Sequence, residues 1–218
     1  MYKKITHTIT EEHFAHPMAM EIKKLVDKLI KPKAIDPVTS AQLNVALQQY
    51  FTTFVNNMHN IITNMSDSNA MRSAENAAYT DIISLGSILN PYYGTDVINN
   101  ITKMLTTFVS DFSLFLASAY KTKSISYVNF QNGTNNLATN ISYYLNKVNS
   151  NWDHDAIFNI FMKAVPAWIL LANAIANNNN ADAIANQNVI NGLFFAGQPD
   201  GTPGLSTIMY NGIVQQFA

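Results

Sequence analysis

The sequence contains no cysteine, a single arginine and few charged residues of either sign. Without cysteine, the chain cannot use disulfides, thiolate catalysis, cysteine-ligated zinc or iron–sulfur clusters. Charged residues make up only 12% of its 218 residues, well below the roughly 25% usual in globular chains. Because the formal net charge is −1, no general basic surface for nucleic acid is expected.

Catalytic and targeting motifs are also missing. The sequence has no glycine-rich phosphate loop, no GxSxG elbow and no HExxH metal motif. Residues 1–10 are basic but lack the apolar stretch of a signal peptide. The longest apolar run, 164–172, is interrupted by Pro166 and falls short of the roughly 20 residues that a membrane span needs. We therefore expect a soluble, intracellular protein without a cofactor, and enzymatic activity is not favoured.

Asparagine and apolar residues dominate instead. Asparagine occurs 28 times, more than any other residue, and 48% of the chain is apolar. Asparagine and lysine in excess, with one arginine, are typical of an AT-rich genome. A chain of this length and apolar content can bury a sizeable core. We predict one helical domain over residues 1–218, with residues 1–16 as a flexible arm.

Apolar residues recur at helical spacing along most of the chain, and this pattern predicts an all-α fold, a bundle of seven to eight helices. The stripe from Leu43 to Met65 holds for about six turns. Residues 153–176 are apolar nearly all round, which indicates a central helix. Pro91 and the pair Asn132-Gly133 predict turns. The predicted helices cover approximately 17–31, 39–65, 69–89, 95–121, 137–148, 153–176, 181–195 and 203–217.

A short internal echo occurs in two of the long predicted helices. Residues 51–55 read FTTFV, and residues 105–109 read LTTFV. Each of these helices is followed by a shorter one. This arrangement suggests two related helical-hairpin units, near 39–90 and 95–150, packed around a shared core. The alternative is chance recurrence in a chain of this composition.

Several short motifs resemble a group of small all-helical bundle proteins found in Bacillus-like bacteria. Some of these proteins are labelled acetylglutamate kinase, although no kinase motif supports that label. The resemblance covers roughly residues 40–218. It rests on Asp81-Ile82 ahead of PYYG at 91–94, the long helix that follows, Asn151-Trp152, and GIVQQF at 212–217.

Members of that group carry Glu-His pairs, candidate metal ligands, within their long helices. The matching positions in this sequence hold Gln49-Tyr50, Thr107-Phe108 and Ala164-Val165. None of these pairs binds a divalent metal well. The resemblance therefore implies a bundle that has lost a polar interior and has a structural or binding role.

Three of the five histidines lie near the N-terminus, at His7, His13 and His16, with acidic residues between them. His13, His16 and Glu12 are candidate ligands for zinc or nickel, since two imidazoles and a carboxylate suit these metals. The alternative is a solvated arm, because Pro17 prevents the two histidines from sharing a face of the following helix.

The predicted helix at 17–31 is basic and amphipathic. Its lysines Lys23, Lys24, Lys28 and Lys31 lie opposite an apolar stripe. Such a helix can bind an acidic partner or a membrane surface, and the alternative is an ordinary solvated face.

The remaining candidates are histidines and the apolar interior. His59 is expected to be exposed, and Asp153, beside His154 and Asp155, is expected to cap a helix rather than to act in acid–base chemistry. An interior rich in Phe and Met could enclose an apolar ligand or form an ordinary core.

We therefore predict a non-enzymatic structural or interaction protein whose partner is an unidentified protein. The two alternatives are a carrier of a small hydrophobic ligand in the bundle interior and a metal-binding protein that uses the N-terminal histidines.

Overall fold

The computed structural model of the chain describes residues 37–217. This part of the chain is an all-α bundle of seven helices without a strand, which confirms the predicted fold class. A short 3-10 turn at Tyr127–Phe130 and a π turn at Gly192–Ala196 are also present. The predicted helix at 17–31 and the predicted arm lie outside the described residues. The helices are α1 (Pro37–Thr63), α2 (Ser68–Tyr93), α3 (Thr95–Thr122), α4 (Gln131–Val148), α5 (His154–Ala176), α6 (Asn180–Asn191) and α7 (Leu205–Phe217).

The apolar stripe of α1 is buried along its whole length. The helix packs against α2, α5, α7 and the π turn. Burying each large apolar side chain contributes about 1.5–3 kcal/mol, and conformational entropy offsets much of that gain. The helical spacing of these apolar residues therefore correctly predicts a helix with one buried face. The stripe has nine residues in α1 and continues to Met65 just beyond its end; the ten, each at most 6% exposed, are Leu43, Leu47, Tyr50, Phe51, Phe54, Val55, Met58, Ile61, Ile62 and Met65.

Helix α5 is the most apolar of the described helices and packs against α1, α4 and α6. By length and composition alone it is the one described helix that could cross a membrane, with a mean hydropathy of 1.5. However, 56% of its apolar window is buried inside the bundle. Much of its apolar surface is therefore used by the core, and Pro166 lies within the helix without ending it.

Two segments that were predicted to be turns are helical instead. Helix α2 continues through Pro91 and ends only at Gly94, whose φ is 75° and whose N–H donates to the Asn90 carbonyl at 3.0 Å. Pro91 removes the N–H that would otherwise bond the Ser87 carbonyl, but only Tyr92 and Tyr93 follow it in the helix, so a single turn is affected. Asn132 and Gly133 lie in the first turn of α4. Glycine is needed there because a Cβ would lie 2.7 Å from the Phe130 ring.

Helix starts follow local capping rules only in part. Helix α1 begins at Pro37, so the predicted start at Thr39 is wrong by two residues. Proline suits this first helical position, because its missing N–H would have no intrahelical partner there. Asp67 and Asp153 cap α2 and α5, and their carboxylates accept backbone N–H groups of the first turn.

The two copies of the five-residue echo occupy comparable positions in the core. Phe54 and Phe108 both pack on Trp168, with ring centroids 6.4 Å and 6.0 Å away. Phe51 and Leu105, the first residues of each copy, line the same small interior cavity. The echoed segments therefore meet across the centre of the bundle.

Three segments that carry the resemblance meet at one end of the bundle. The Tyr93 ring lies 5.0 Å from Trp152 and 5.7 Å from Phe217, measured between centroids. Asn149, which is buried, donates to the Tyr93 hydroxyl at 2.9 Å, and that hydroxyl donates to Gln216 at 3.0 Å. Burial raises the pKa of Tyr93, so the hydroxyl stays protonated and keeps donating. These motif residues are therefore packing residues.

Candidate functional site

The site residues that the sequence predicts all lie outside the described residues. This applies to the candidate metal ligands His13, His16 and Glu12, and to the candidate partner-binding residues Lys23, Lys24, Lys28 and Lys31. Both sites stay predictions, and a functional site in the described bundle must be built from other residues.

The acid–base candidates in the described part lie at the surface. The Asp153 carboxylate accepts the Ala156 N–H at 2.8 Å, which confirms its capping role. His154 Nδ1 lies 2.8 Å from Asp155 Oδ1, so these two neighbours contact each other. The Asp155 side chain is 89% exposed, and the pair is an ordinary surface contact. The expectation for His59 is wrong, because it is half-buried and its Nδ1 lies 2.9 Å from Gln187 Oε1.

The core positions that the resemblance matches to metal-binding pairs carry apolar or aromatic side chains. Tyr50, Phe108 and Val165 are all buried. Burial, with a contribution from the Asp81 charge, raises the pKa of Tyr50, so it stays neutral. Among residues 37–217, no three His, Asp or Glu side chains lie close enough together to hold a metal ion.

The bundle interior has little free space. A cavity of about 30 Å³ lies between α1, α2, α3, α4, α5, α7 and the π turn, and apolar side chains line it. This volume suits about two water molecules, whereas ligand sites usually measure about 300–1,000 Å³. A hydrophobic ligand in the interior would have to displace packed aromatic rings such as Phe54 and Phe161.

A larger space lies at the surface between α3 and α4, and we call it the α3–α4 groove. Its volume is about 420 Å³, which falls in the usual range for small-molecule sites. Its floor is largely buried and its rim largely exposed. The floor consists of Met104, Phe108, Phe130 and Leu137, and the rim of Asn100, Lys103, Thr107, Asp111, Asn136, Asn140 and Tyr144.

The link between α3 and α4 is longer than the link between α2 and α3, and its last residue reaches the groove. A single residue, Gly94, joins α2 to α3, whereas residues 123–130 join α3 to α4. The longer link ends in Phe130, whose ring lies 4.9 Å from Phe115 and 5.6 Å from Phe112. This ring lies in the groove floor, beside α3 and below Gly133.

Hydrogen bonding and charge give the groove two different ends. At one end, Asn100 donates to the Tyr144 hydroxyl at 3.0 Å and bridges the two helices. Lys103 lies near this bridge, and Asp111 lies two turns further along α3, about 12 Å away along the axis. Neither makes an ion pair with another described residue. The groove therefore combines an apolar floor with one free cation and one free carboxylate.

The residue pattern of α4 holds a weak signal for this groove, although no motif marks it. On α4, Gly133, Asn136 and Asn140 lie beside the buried Leu137, so small and polar residues flank a core position.

Comparison with known protein families, curated proteins and solved structures found no match for this chain.

Proposed function

We propose that this chain is a non-enzymatic binding protein, a filled helical bundle that holds a small amphiphilic molecule in the α3–α4 groove. The supporting observation is the contrast in free volume, about 420 Å³ in the groove against about 30 Å³ in the interior. The carrier role that the sequence offered as an alternative for the interior is therefore proposed for the groove, where a ligand displaces no core side chain.

The lining chemistry supports a ligand with an apolar body and a negatively charged end. Aromatic or aliphatic groups would pack on Phe108, Phe130 and Leu137, which are buried. An acidic group would lie near the Lys103 ammonium, and a hydrogen-bond donor near Asp111. The Asn100–Tyr144 bridge closes one end, which favours a small molecule over a continuous protein segment.

The same lining supports a binding role rather than catalysis. The groove has one carboxylate and no histidine or cysteine. General acid–base catalysis by paired carboxylates or a histidine therefore has no residues to carry it there. The soluble, intracellular setting is part of this proposal, and the cysteine-free sequence and the burial of α5 support it.

An aromatic sulfonate tests the groove directly. The probe is 1-anilinonaphthalene-8-sulfonate, whose rings suit the floor and whose sulfonate suits Lys103. Thr107→Trp fills the middle of the groove from an exposed position on α3. Thr53→Trp is the matched control, because Thr53 is exposed at the same place in the echoed segment of α1 and lines no such groove. We expect saturable fluorescence with the wild type, at least tenfold weaker affinity with Thr107→Trp, and unchanged affinity with Thr53→Trp.

Both variants must unfold cooperatively, since this probe also binds partly unfolded chains. Equal affinities of the two tryptophan variants would overturn the proposal, and so would the absence of saturable binding to the wild type. A protein partner that binds the wild type and Thr107→Trp equally well would place the interaction elsewhere on the molecule.

A further inference from the structure

A second cleft lies between the turn joining α1 to α2 and the C-terminal half of α3. We call it the Arg72 cleft, because it contains the only arginine of the chain. Its volume is about 460 Å³. Its charged lining residues are Arg72, Glu75 and Lys121. It shares no lining residue with the α3–α4 groove.

The charges in this cleft add up to one net positive charge. Arg72 and Lys121 are exposed, and neither makes a hydrogen bond or ion pair with another described residue. Glu75, the one carboxylate of the lining, is half-buried and accepts a hydrogen bond from the Tyr79 hydroxyl. Two cations therefore face the cleft without forming an ion pair with its carboxylate.

A buried hydroxyl without a partner also lines the cleft. Ser113 is 5% exposed, and its Oγ makes no hydrogen bond with any described residue. By contrast, Ser142, which is buried on α4, donates to the carbonyl four residues earlier at 2.6 Å. A buried hydroxyl without a hydrogen bond has lost its contact with water and gained none in return, which destabilises the fold. A ligand that bonds to Ser113 would remove that destabilisation.

The backbone N–H groups at the N-terminus of α2 are not available to bind an anion in the cleft. The Asp67 carboxylate already accepts the N–H groups of Asn69 and Ala70, at 2.9 Å and 3.1 Å. An anion in the cleft would therefore be held by side chains rather than by free backbone donors of the helix.

We propose that the Arg72 cleft binds the carboxylate of a small organic acid. The planar guanidinium of Arg72 can bond both carboxylate oxygens at once, and Lys121 adds a second positive charge. Ser113 donates from the base of the cleft, while Met65 and Met71 contact the apolar part of the acid. A singly charged anion suits the net charge of the cleft better than a doubly charged phosphate, which Glu75 repels more strongly.

Methionine methyl resonances report on this cleft selectively. The chain is labelled on its methionine methyl carbons and titrated with sodium isobutyrate at neutral pH and constant ionic strength. We expect saturable shifts of the Met65 and Met71 methyls, while the buried Met209 methyl stays still. Charge-assisted hydrogen bonds contribute about 1.5–3 kcal/mol, so Arg72→Gln should weaken binding about tenfold or more.

Two further variants separate binding from folding. Lys147→Gln removes an exposed cation of α4 outside the cleft and should leave the affinity unchanged. Ser113→Ala should weaken binding severalfold without lowering the melting temperature, because it deletes an unsatisfied buried hydroxyl. Absence of saturable shifts, or equal affinity in Arg72→Gln, would overturn the proposal. Tighter binding of inorganic phosphate than of isobutyrate would overturn the assignment to a carboxylate. None of these outcomes depends on the α3–α4 groove.

Discussion

Gly212 is the position where a single methyl group tests the packing at the bundle end most directly. It lies on α7 against Trp152, which is fully buried. A Cβ at this position would overlap with Trp152 Cδ1 and lie 2.5 Å from Nε1. That nitrogen donates to the Met209 carbonyl at 3.0 Å. Gly212→Ala should therefore displace the Trp152 ring and break its hydrogen bond at the same time.

The expected decrease in the free energy of unfolding is the sum of three effects of known size. Overpacking a close-packed core costs about 1–3 kcal/mol. Breaking a buried hydrogen bond costs about 1–3 kcal/mol. Replacing glycine by alanine inside a helix stabilises the helix by about 1 kcal/mol, which offsets part of that loss. We expect a net loss of about 3 kcal/mol, which lowers the melting temperature of a chain of this size by about 6–12 °C.

Thermal and urea unfolding, followed by circular dichroism, measure this loss. Gly86→Ala is the matched control, since Gly86 is buried on α2 and its added Cβ would lie 2.7 Å from a methyl of the half-buried Ile98 rather than against a fully buried ring that holds a hydrogen bond. We expect a smaller loss of stability there. In a Trp152→Phe background, Gly212→Ala should cost less, because the smaller ring relieves the overlap. A Gly212→Ala protein that melts at or above the wild-type temperature would refute this account of the packing.

Two other perturbations test a cap and a titration. Asp153→Ala should cost about 1 kcal/mol in urea unfolding by removing the α5 cap, whereas Asp155→Ala, at an exposed surface pair, should cost little; equal losses would contradict the capping role. Burial and the Glu75 hydrogen bond raise the pKa of Tyr79 from 10.0 to about 12. Because the folded state holds the Tyr79 proton more tightly than the unfolded state, protonated Tyr79 stabilises the fold. This stabilisation is present below pH 10 and is lost as the pH rises toward 12. Tyr79→Phe should therefore lose stability less steeply over that range, and identical slopes in urea unfolding would oppose this assignment.

The helices themselves could be predicted from the sequence because burial and periodicity coincide. Along α1, every residue of the predicted stripe is buried. The errors arise where a tertiary contact overrides a local signal. Asn132-Gly133 has the composition of a turn, yet the Phe130 ring requires glycine in a helix. Pro91 predicts a helix end, yet Tyr92 and Tyr93 extend α2 by packing against the Phe217 ring.

The candidate sites could not be predicted in the same way, because neither is a motif. Each depends on the distance between helices, which periodicity does not specify. In the sequence, Lys103 and Asp111 look like ordinary exposed charged residues. They lie at the rim of a groove only because α3 packs beside α4. Ser113 reads as a small residue in an apolar helix, and only its unpaired, buried hydroxyl marks it as a candidate ligand contact.

Position 108 links the resemblance, the filled interior and the groove. The resemblance matches Thr107-Phe108 to a Glu-His pair, and both residues line the α3–α4 groove. The Phe108 ring packs on Trp168 at 6.0 Å and on Phe112 at 5.7 Å, so it also belongs to the aromatic core. A carboxylate and an imidazole at these two positions would suit a metal ion. Threonine and phenylalanine instead give the groove a polar rim above an apolar floor, which favours the proposed organic ligand over a metal ion.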